Sequence, residues 1–173
     1  MKYLLGSLLL ITFLVSSCGT GKNQISGDDL RHTTTIILVR HAEKADDGTS
    51  NPGLTPLGQA RAQRLAAMLA PTGINAVYST PYKRTRLTGQ PTADLEGLRV
   101  VEYDPRDGEF TQDLLEKHSG ETILVVGHSN TIPMLVNTLT GTTNYPQLEE
   151  MEYDKLFVVS LINGAGRAMV LSY

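Results

Sequence analysis

The sequence contains little of what would favour several large classes of protein. Cys18 is the only cysteine, so no disulfide can form within the chain and a disulfide framework is excluded. No set of side chains shows the spacing of metal ligands, and we expect neither a metal nor another cofactor. The formal net charge of -3 gives no general attraction to nucleic acid. Anion recognition must therefore depend on local basic side chains.

The apolar run over residues 3–15 is too short to span a membrane comfortably, because a spanning helix needs about 20 apolar residues. Lys2 precedes this run, and small residues ending at Cys18 follow it, which is the order of a signal peptide. Residues 15–18 also resemble the lipobox of bacterial lipoproteins, in which cleavage leaves a lipidated cysteine. The resemblance implies that residues 1–17 are removed and that Cys18 carries the lipid.

The rest of the chain divides into a tether and a domain. Residues 18–33 are rich in Gly, Ser, Asn, Asp and Lys, which favours a flexible segment. Residues 34–173 have the length of one well-buried α/β domain. A lipid on Cys18 would hold this domain at the bacterial cell envelope, on the periplasmic side or at the cell surface. The sequence does not choose between the membranes or between oligomeric states.

The first predicted strand leads directly into reactive side chains. Residues 36–39 are an unbroken apolar run, typical of a strand that is buried in a parallel sheet, and Arg40 and His41 follow it. Parallel sheets bind ligands beyond the carboxyl ends of their strands. A guanidinium group suits an oxyanion such as phosphate, and a neutral imidazole can act as a nucleophile. The pair therefore indicates phosphoryl transfer to His41.

A later segment repeats this arrangement. Residues 122–126 form a second apolar strand that runs into Gly127 and His128. Gly127 can let the backbone come close to a bound group. His118, by contrast, lies at a polar helix end, and we expect it at the surface.

Three short motifs resemble those of the histidine phosphatase superfamily, which includes the cofactor-dependent phosphoglycerate mutases. Residues 40–43, Arg-His-Ala-Glu, resemble its Arg-His-Gly-Glu signature, with alanine in place of the usual glycine. Residues 54–58, Leu-Thr-x-x-Gly, resemble its second signature. Residues 125–129, Val-Val-Gly-His-Ser, resemble its second histidine motif. The resemblance covers residues 34–173 and is closest to short, phosphatase-type members.

The resemblance also implies a second phosphate-binding arginine on the turn that follows a strand at residues 74–78. By position this residue is Arg84. A helix N-terminus favours a bound anion, which gives the placement a physical reason. Lys83 and Arg86 are alternatives on the same turn, but they fit an exposed basic helix face better. The segment from Pro91 to Gly97 is expected to close this helix.

A general acid is implied for the loop after the third strand. This loop contains Glu102, Asp104, Asp107 and Glu109, and it lacks the Leu-x-Glu pattern of the longer mutase-like members. We choose Asp104 because it lies just past the strand, with Glu102 and Asp107 as alternatives. The other carboxylates of this loop are expected to be solvated surface.

The implied fold is a three-layer α/β/α domain with a mostly parallel central sheet, similar to phosphoglycerate mutase. Residues 156–162 and 168–173 are β-rich, and a turn of four residues is expected between them at 163–166. They predict a β-hairpin at the C-terminus of the domain.

The implied mechanism is a double displacement, in which His41 becomes a phosphohistidine that water then hydrolyses. Arg40, Arg84 and a protonated His128 would bind the phosphoryl oxygens, and Asp104 would transfer protons. The sequence thus predicts a metal-independent, acid phosphatase-type hydrolase that acts on small phosphomonoesters or on a phosphohistidine-bearing protein. The alternatives are a phosphomutase, although the chain lacks the long insertions of the mutases, and a lipoprotein that binds a phosphorylated ligand without catalysis.

Overall fold

The computed structural model describes residues 33–173. The predictions for the signal peptide, for Cys18 and for nearly all of the tether lie outside these residues. Within them, none of the helices has the length and apolar character that a membrane crossing requires. No group of three or more His, Cys, Asp or Glu side chains in this range is placed to hold a metal ion.

One mixed sheet forms the middle layer of the domain. Its strands are β1 (Thr34–Arg40), β2 (Ala76–Ser79), β3 (Val100–Glu102), β4 (Thr122–Gly127), β5 (Lys155–Ile162) and β6 (Ala165–Ser172). The spatial order is β3-β2-β4-β1-β5-β6. The first four of these are joined by parallel pairing, whereas β5 and β6 are added by antiparallel pairing. The predicted, mostly parallel sheet is confirmed.

Helices cover both faces of this sheet. They are α1 (Pro56–Leu69), α2 (Lys83–Leu95), α3 (Phe110–Lys117) and α4 (Thr131–Thr140), and a short 3₁₀ helix (Ala70–Thr72) follows α1. The helices α1 and α2 bury Leu65, Leu69 and Ala93 against one face. Helices α3 and α4 bury a second set on the other face, including Leu114 and Ile132. The predicted three-layer α/β/α architecture is therefore confirmed.

Strand β1 shows why its sequence is apolar without interruption. Successive side chains of a strand point to opposite faces of the sheet. Ile37 and Val39 pack under α1 and α2, whereas Ile36 and Leu38 pack under α3 and α4. Since both faces are covered by helices, a polar residue at any of these positions would be buried.

The predicted C-terminal hairpin is present, but its turn is shorter than expected. Strands β5 and β6 are joined by Asn163 and Gly164 alone, and both residues have positive φ, at 52° and 79°. Two positive φ values match the right-handed twist of a hairpin. The four-residue turn was wrong because Ala165 and Gly166 pair with Ile162 and Leu161.

Helix α2 ends at Leu95, inside the segment from Pro91 to Gly97 that was predicted to close it, so Pro91 itself lies within the helix. Proline removes the hydrogen bond to the carbonyl four residues earlier, and here that residue is Leu87. Leu87 is 45% exposed, so its side of the helix lies at the surface.

The parallel pairing brings three motif-bearing strand ends to one edge. Arg40 lies opposite Gly127 in the β1–β4 register, and Ser79 lies opposite Val126 in the β2–β4 register. The residues that follow β1, β2 and β4 therefore meet at the carboxyl edge of the sheet.

Candidate active site

His41 is held directly after β1 by hydrogen bonds on its backbone and on its ring. Its backbone N–H donates to the Gly127 carbonyl at 2.9 Å. Its ring Nδ1 lies 2.8 Å from the Ala42 carbonyl oxygen, which can only accept. The proton must therefore be on Nδ1. This tautomer leaves the lone pair on Nε2, which is the atom that a nucleophilic imidazole uses.

Arg40 is buried beside His41 and is anchored by the chain between α4 and β5. Its Nη1 donates to the carbonyls of Glu149, Glu150 and Glu152, at 2.8, 3.0 and 3.2 Å. Its Cζ also lies 4.2 Å from the ring centroid of Tyr153. The carbonyls and the ring fix the guanidinium plane at the base of the cleft.

Arg84 and His128 lie together near His41. Arg84 Nη2 is 3.5 Å from His128 Nδ1, and Arg84 Cζ is 4.5 Å from the ring centroid of Tyr82. The centroids of the His41 and His128 rings are 5.5 Å apart. The structure thus gathers Arg40, His41, Arg84 and His128 into one group, which we call the cationic floor.

The tautomer of His128 follows from its hydroxyl partner. Its Nε2 lies 2.9 Å from Thr80 Oγ1, and that hydroxyl donates its own proton to Thr85 Oγ1 at 3.0 Å. Nε2 of His128 must then carry the hydrogen, and Nδ1 offers a lone pair towards Arg84.

Burial and the two arginines of the floor lower the pKa of both imidazoles. Burial, opposed by the hydrogen bond to Ala42 and assisted by Arg84 and Arg40, lowers the pKa of His41 to about 3. Burial and the same two arginines lower the pKa of His128 to about 4. Both rings are therefore neutral at pH 7. The protonated His128 that the resemblance implied is disfavoured unless an anion offsets the arginines.

The second signature supports the loop after His41. Thr55 Oγ1 caps α1 by accepting from the Gly58 N–H at 3.0 Å, and the Thr55 N–H donates to the Glu43 carbonyl at 2.9 Å. A Cβ atom at Gly58 would lie 2.5 Å from the same carbonyl oxygen, so only glycine allows this approach. Arg61 clamps the Glu43 carboxylate at 2.7 Å. Glu43 is thus engaged with α1.

Gly127 has a different role from the one expected. A Cβ atom at this position would lie 2.8 Å from Ile132 Cδ1 and from Thr131 Oγ1. The first turn of α4 therefore occupies the space, and a bound group is not needed to explain the glycine. The close approach lets Thr131 Oγ1 accept from the His128 N–H at 2.9 Å.

The floor opens into a cleft of about 730 Å³ whose edge carries carboxylates. Glu102, Asp104 and Glu150 line this cleft, and we call them the carboxylate rim. Glu102 pairs with Arg86 at 2.9 Å. Asp104 is held by two hydrogen bonds from Arg106, which lower the pKa of the Asp104 carboxyl.

The candidates for the general acid are thereby separated. Asp104 and Glu102 line the cleft, whereas Asp107 lies outside it and accepts from the Glu109 N–H near the start of α3. Asp104 is ionised at pH 7 because its pKa is lowered. A carboxylate suits the activation of water, and it becomes an acid only after gaining a proton.

Several residues of the site were missed by sequence reasoning. Tyr82 and Tyr153 stack on the two arginines, and Lys44 and Glu150 form an ion pair of 3.4 Å at the cleft edge. Tyr82 lies in the turn that carries Arg84, so the sequence placed an aromatic ring close enough to stack on that arginine. Tyr153 and Glu150 lie in a polar segment without a motif.

His118 corrects another prediction, because it is buried rather than at the surface. Its Nε2 is 2.8 Å from the Tyr78 hydroxyl, and its Nδ1 is 2.6 Å from a carboxylate oxygen of Glu121. These bonds join the C-terminal end of α3 to strand β2.

Sequence comparison relates about half of the domain to a known family. A family model described as Histidine phosphatase superfamily (branch 1) matches residues 36–107, which contain Arg40, His41 and Arg84. Phosphoserine phosphatase 1 of Hydrogenobacter thermophilus is 36% identical over 75 residues, covering 40% of this chain and 36% of that protein. The matched part of the chain is thus similar to the histidine phosphatase superfamily.

Other members of the superfamily carry a different name. Probable phosphoglycerate mutase GpmB of Erwinia tasmaniensis is 30% identical over 122 residues, covering 67% of this chain and 55% of that protein. The matched segments therefore span about one third to a little over half of the length of these two curated relatives.

Solved structures of the superfamily share the fold. The native mycobacterial glucosyl-3-phosphoglycerate phosphatase aligns with a TM-score of 0.67 at 15% identity, covering 81% of this chain and 99% of that one. The protein histidine phosphatase SixA complexed with tungstate aligns with a TM-score of 0.64 at 20% identity, covering 80% of this chain and 96% of that one. At such identities the likeness is one of fold, and it confirms the phosphoglycerate mutase-like architecture.

Proposed function

We propose that the protein is a phosphatase that forms a phosphohistidine on His41 and hydrolyses it with water. The observation that carries the proposal is the tautomer of His41, whose Nδ1 donates to the Ala42 carbonyl and whose Nε2 keeps its lone pair. The pKa of about 3 keeps this nitrogen unprotonated at any physiological pH. The similarity to the superfamily and relatives named as phosphatases add support.

In the first step, Nε2 of His41 attacks phosphorus and the bond from phosphorus to the leaving oxygen breaks. Arg40 and Arg84 bind non-bridging oxygens and stabilise the charge of the transition state. The negative phosphoryl group offsets both arginines, so His128 gains a proton on Nδ1 with the substrate bound and donates it to an oxygen.

In the second step, water attacks the phosphohistidine, and the bond from phosphorus to Nε2 breaks. Asp104, ionised at the rim, accepts the proton of this water. Because the pKa of Asp104 is lowered, the carboxyl releases this proton to the solvent. It must regain one with the anionic substrate bound before it can serve the next leaving oxygen. The proposed steps use neither a metal ion nor a cofactor.

Trapping of the intermediate tests the proposal. The purified protein is mixed with a labelled phosphomonoester, quenched at alkaline pH and digested. We expect acid-labile phosphate on the peptide that contains His41, and none in His41→Ala, whose turnover falls by more than about 1,000-fold because the nucleophile is gone. His118→Ala is the matched histidine control and keeps the label.

The same experiment separates the alternatives. A protein that only binds phosphorylated ligands shows saturable phosphate binding with neither label nor turnover. A phosphomutase is favoured by the relatives named GpmB, and it would return the label to a second position of the same substrate instead of releasing inorganic phosphate.

We also propose that the domain is tethered to the bacterial cell envelope through a lipid on Cys18, after removal of residues 1–17. The support is the order of charged, apolar and small residues that ends at this cysteine. Labelled palmitate should enter the wild-type chain and not Cys18→Ser. Equal labelling of both would contradict the proposal.

A further inference from the structure

An apolar cavity of about 370 Å³ lies beside the cleft, between the β3–α3 loop and helix α4. Its apolar walls come from Tyr103, Pro105, Phe110, Met134 and Leu135. The phosphatase mechanism uses none of these side chains. The cavity volume is at the lower end of the range for small-molecule sites.

This cavity is continuous with the cleft above the cationic floor. Tyr103, Pro105, Arg106 and Thr131 line both spaces. Thr131 also accepts the backbone N–H of His128 through its Oγ1 at 2.9 Å. The cavity therefore begins one side chain away from a phosphate-binding imidazole.

The walls are fixed before any ligand arrives. The rings of Tyr103 and Phe110 stack with centroids 4.2 Å apart and planes 15° apart. Tyr103 and Leu135 are buried, at 7% and 8% exposure, and both belong to the core under α3 and α4. Met134 is 53% exposed, so it contributes an adaptable thioether on the surface side of the cavity. A preformed apolar wall loses little conformational freedom on binding.

We propose that this cavity receives the organic part of the substrate while the cationic floor holds its phosphate. The preferred substrates are then phosphomonoesters of aromatic or aliphatic alcohols, not of sugars. Arg106, Asp107 and three threonines also border the cavity. A sugar would still bring some of its hydroxyl groups against the aromatic and aliphatic walls, where unpaired hydroxyls are costly. The inference rests on the proposed function because it places the leaving group of that same reaction.

A series of n-alkylphosphonates from methyl to hexyl tests the inference by binding alone. These compounds keep the charged head and cannot be hydrolysed, so calorimetric titration of the whole chain needs no turnover. We expect the affinity of the wild type to rise about fourfold for each methylene that enters the cavity. The rise should stop when the cavity is filled.

Two variants test whether the alkyl group of the phosphonate occupies the cavity. Thr138 lines the cavity from the exposed side of α4, one turn after Met134. Thr138→Phe fills the cavity and should reduce the hexyl-to-methyl affinity ratio at least about tenfold, which equals the loss of about two methylenes. Met134→Gln should reduce the ratio about threefold to tenfold. Met169→Gln is the matched control, because Met169 is 60% exposed on β6, away from the cavity, and it should keep the wild-type ratio.

The outcomes distinguish this inference from the proposed function. A flat series with measurable methylphosphonate binding overturns the cavity assignment and leaves the phosphatase intact. A rising series that Thr138→Phe does not alter also overturns it, because the alkyl chain then lies elsewhere. A rising series in a protein without turnover supports the cavity and contradicts hydrolysis. Absence of any phosphonate binding contradicts both.

Discussion

The cationic floor and the carboxylate rim of the cleft differ in how deeply their side chains are buried and in how their charges are paired. The floor side chains Arg40 and His41 are 3% and 4% exposed and are held by backbone carbonyls and neighbouring rings. The rim carboxylates are about half-exposed or more, at 49%, 50% and 70% for Glu102, Asp104 and Glu150. Each rim carboxylate is paired with a surface cation.

The difference explains what each region can do. The buried guanidinium of Arg40 faces only the exposed Glu150 carboxylate, at 3.7 Å, so the floor attracts an anion strongly and costs stability until one arrives. Exposed ion pairs contribute little stability and exchange partners easily. The floor is therefore suited to gripping a phosphoryl group, whereas the rim is suited to moving protons and admitting ligands.

Arg84→Lys should show a large loss on the floor, second to that of His41→Ala. Lysine keeps the charge but loses the planar fork of donors, so we expect kcat to fall about 100- to 1,000-fold. Arg86→Lys, two residues later on α2 and paired with Glu102 at the surface, is the matched control and should change kcat less than about twofold. Equal losses of kcat in steady-state assays of the two variants would contradict a role of Arg84 in binding the phosphoryl group.

Asp104→Asn should show the largest loss on the rim. With an alkyl phosphate, whose leaving oxygen needs a proton, we expect kcat to fall by about 100-fold. With p-nitrophenyl phosphate the leaving group needs no proton, so the first step should be spared and any remaining loss reports the activation of water. Asp107→Asn lies outside the cleft and should stay within about twofold of the wild type. An unchanged Asp104→Asn variant would contradict the assignment.

The floor should also make the protein less stable in mild acid. An unfolded histidine binds its proton near pH 6.5, whereas His41 and His128 resist protonation down to about 3 and 4. Protons therefore favour the unfolded chain between these values, and the free energy of unfolding falls as the pH falls. We expect about 2 kcal/mol per histidine between pH 7 and pH 5.

Urea unfolding at the two pH values measures this effect. His41→Gln should lose less stability than the wild type over this range, because one of the two histidines is gone. The carboxylates titrate in both proteins, so the difference between them isolates the imidazole. An identical pH dependence in the two proteins would show that His41 is not buried as a neutral ring.

The smallest effect is expected from Glu150→Gln, and it has the opposite sign. The Glu150 carboxylate lies 3.7 Å from Arg40 Nη2 and competes with phosphate for that cation. Its removal should tighten the binding of inorganic phosphate about twofold to fivefold at low salt, as for an exposed pair. Glu149→Gln is the neighbouring control and should have no effect. Weaker phosphate binding in Glu150→Gln would show that this carboxylate contributes to phosphate binding.

The sequence alone determined the layers of the fold and where the motifs fall along the chain. Unbroken apolar runs such as residues 36–39 and 122–126 could belong only to strands that are covered on both faces. The parallel order of these strands then brings Arg40, His41 and His128 to one edge. The catalytic roles of these residues, the lipid on Cys18 and the envelope location stay predictions.

Tertiary structure alone decided the local exceptions and the electrostatics. Helix α2 continues through Pro91 because the carbonyl that loses its partner lies on the surface side of the helix. Gly127 is required by the approach of α4, which no local pattern reveals. The low pKa values of the imidazoles depend on burial and on which charges become neighbours. Distances between groups that are far apart in sequence set these properties, and only the folded chain defines those distances.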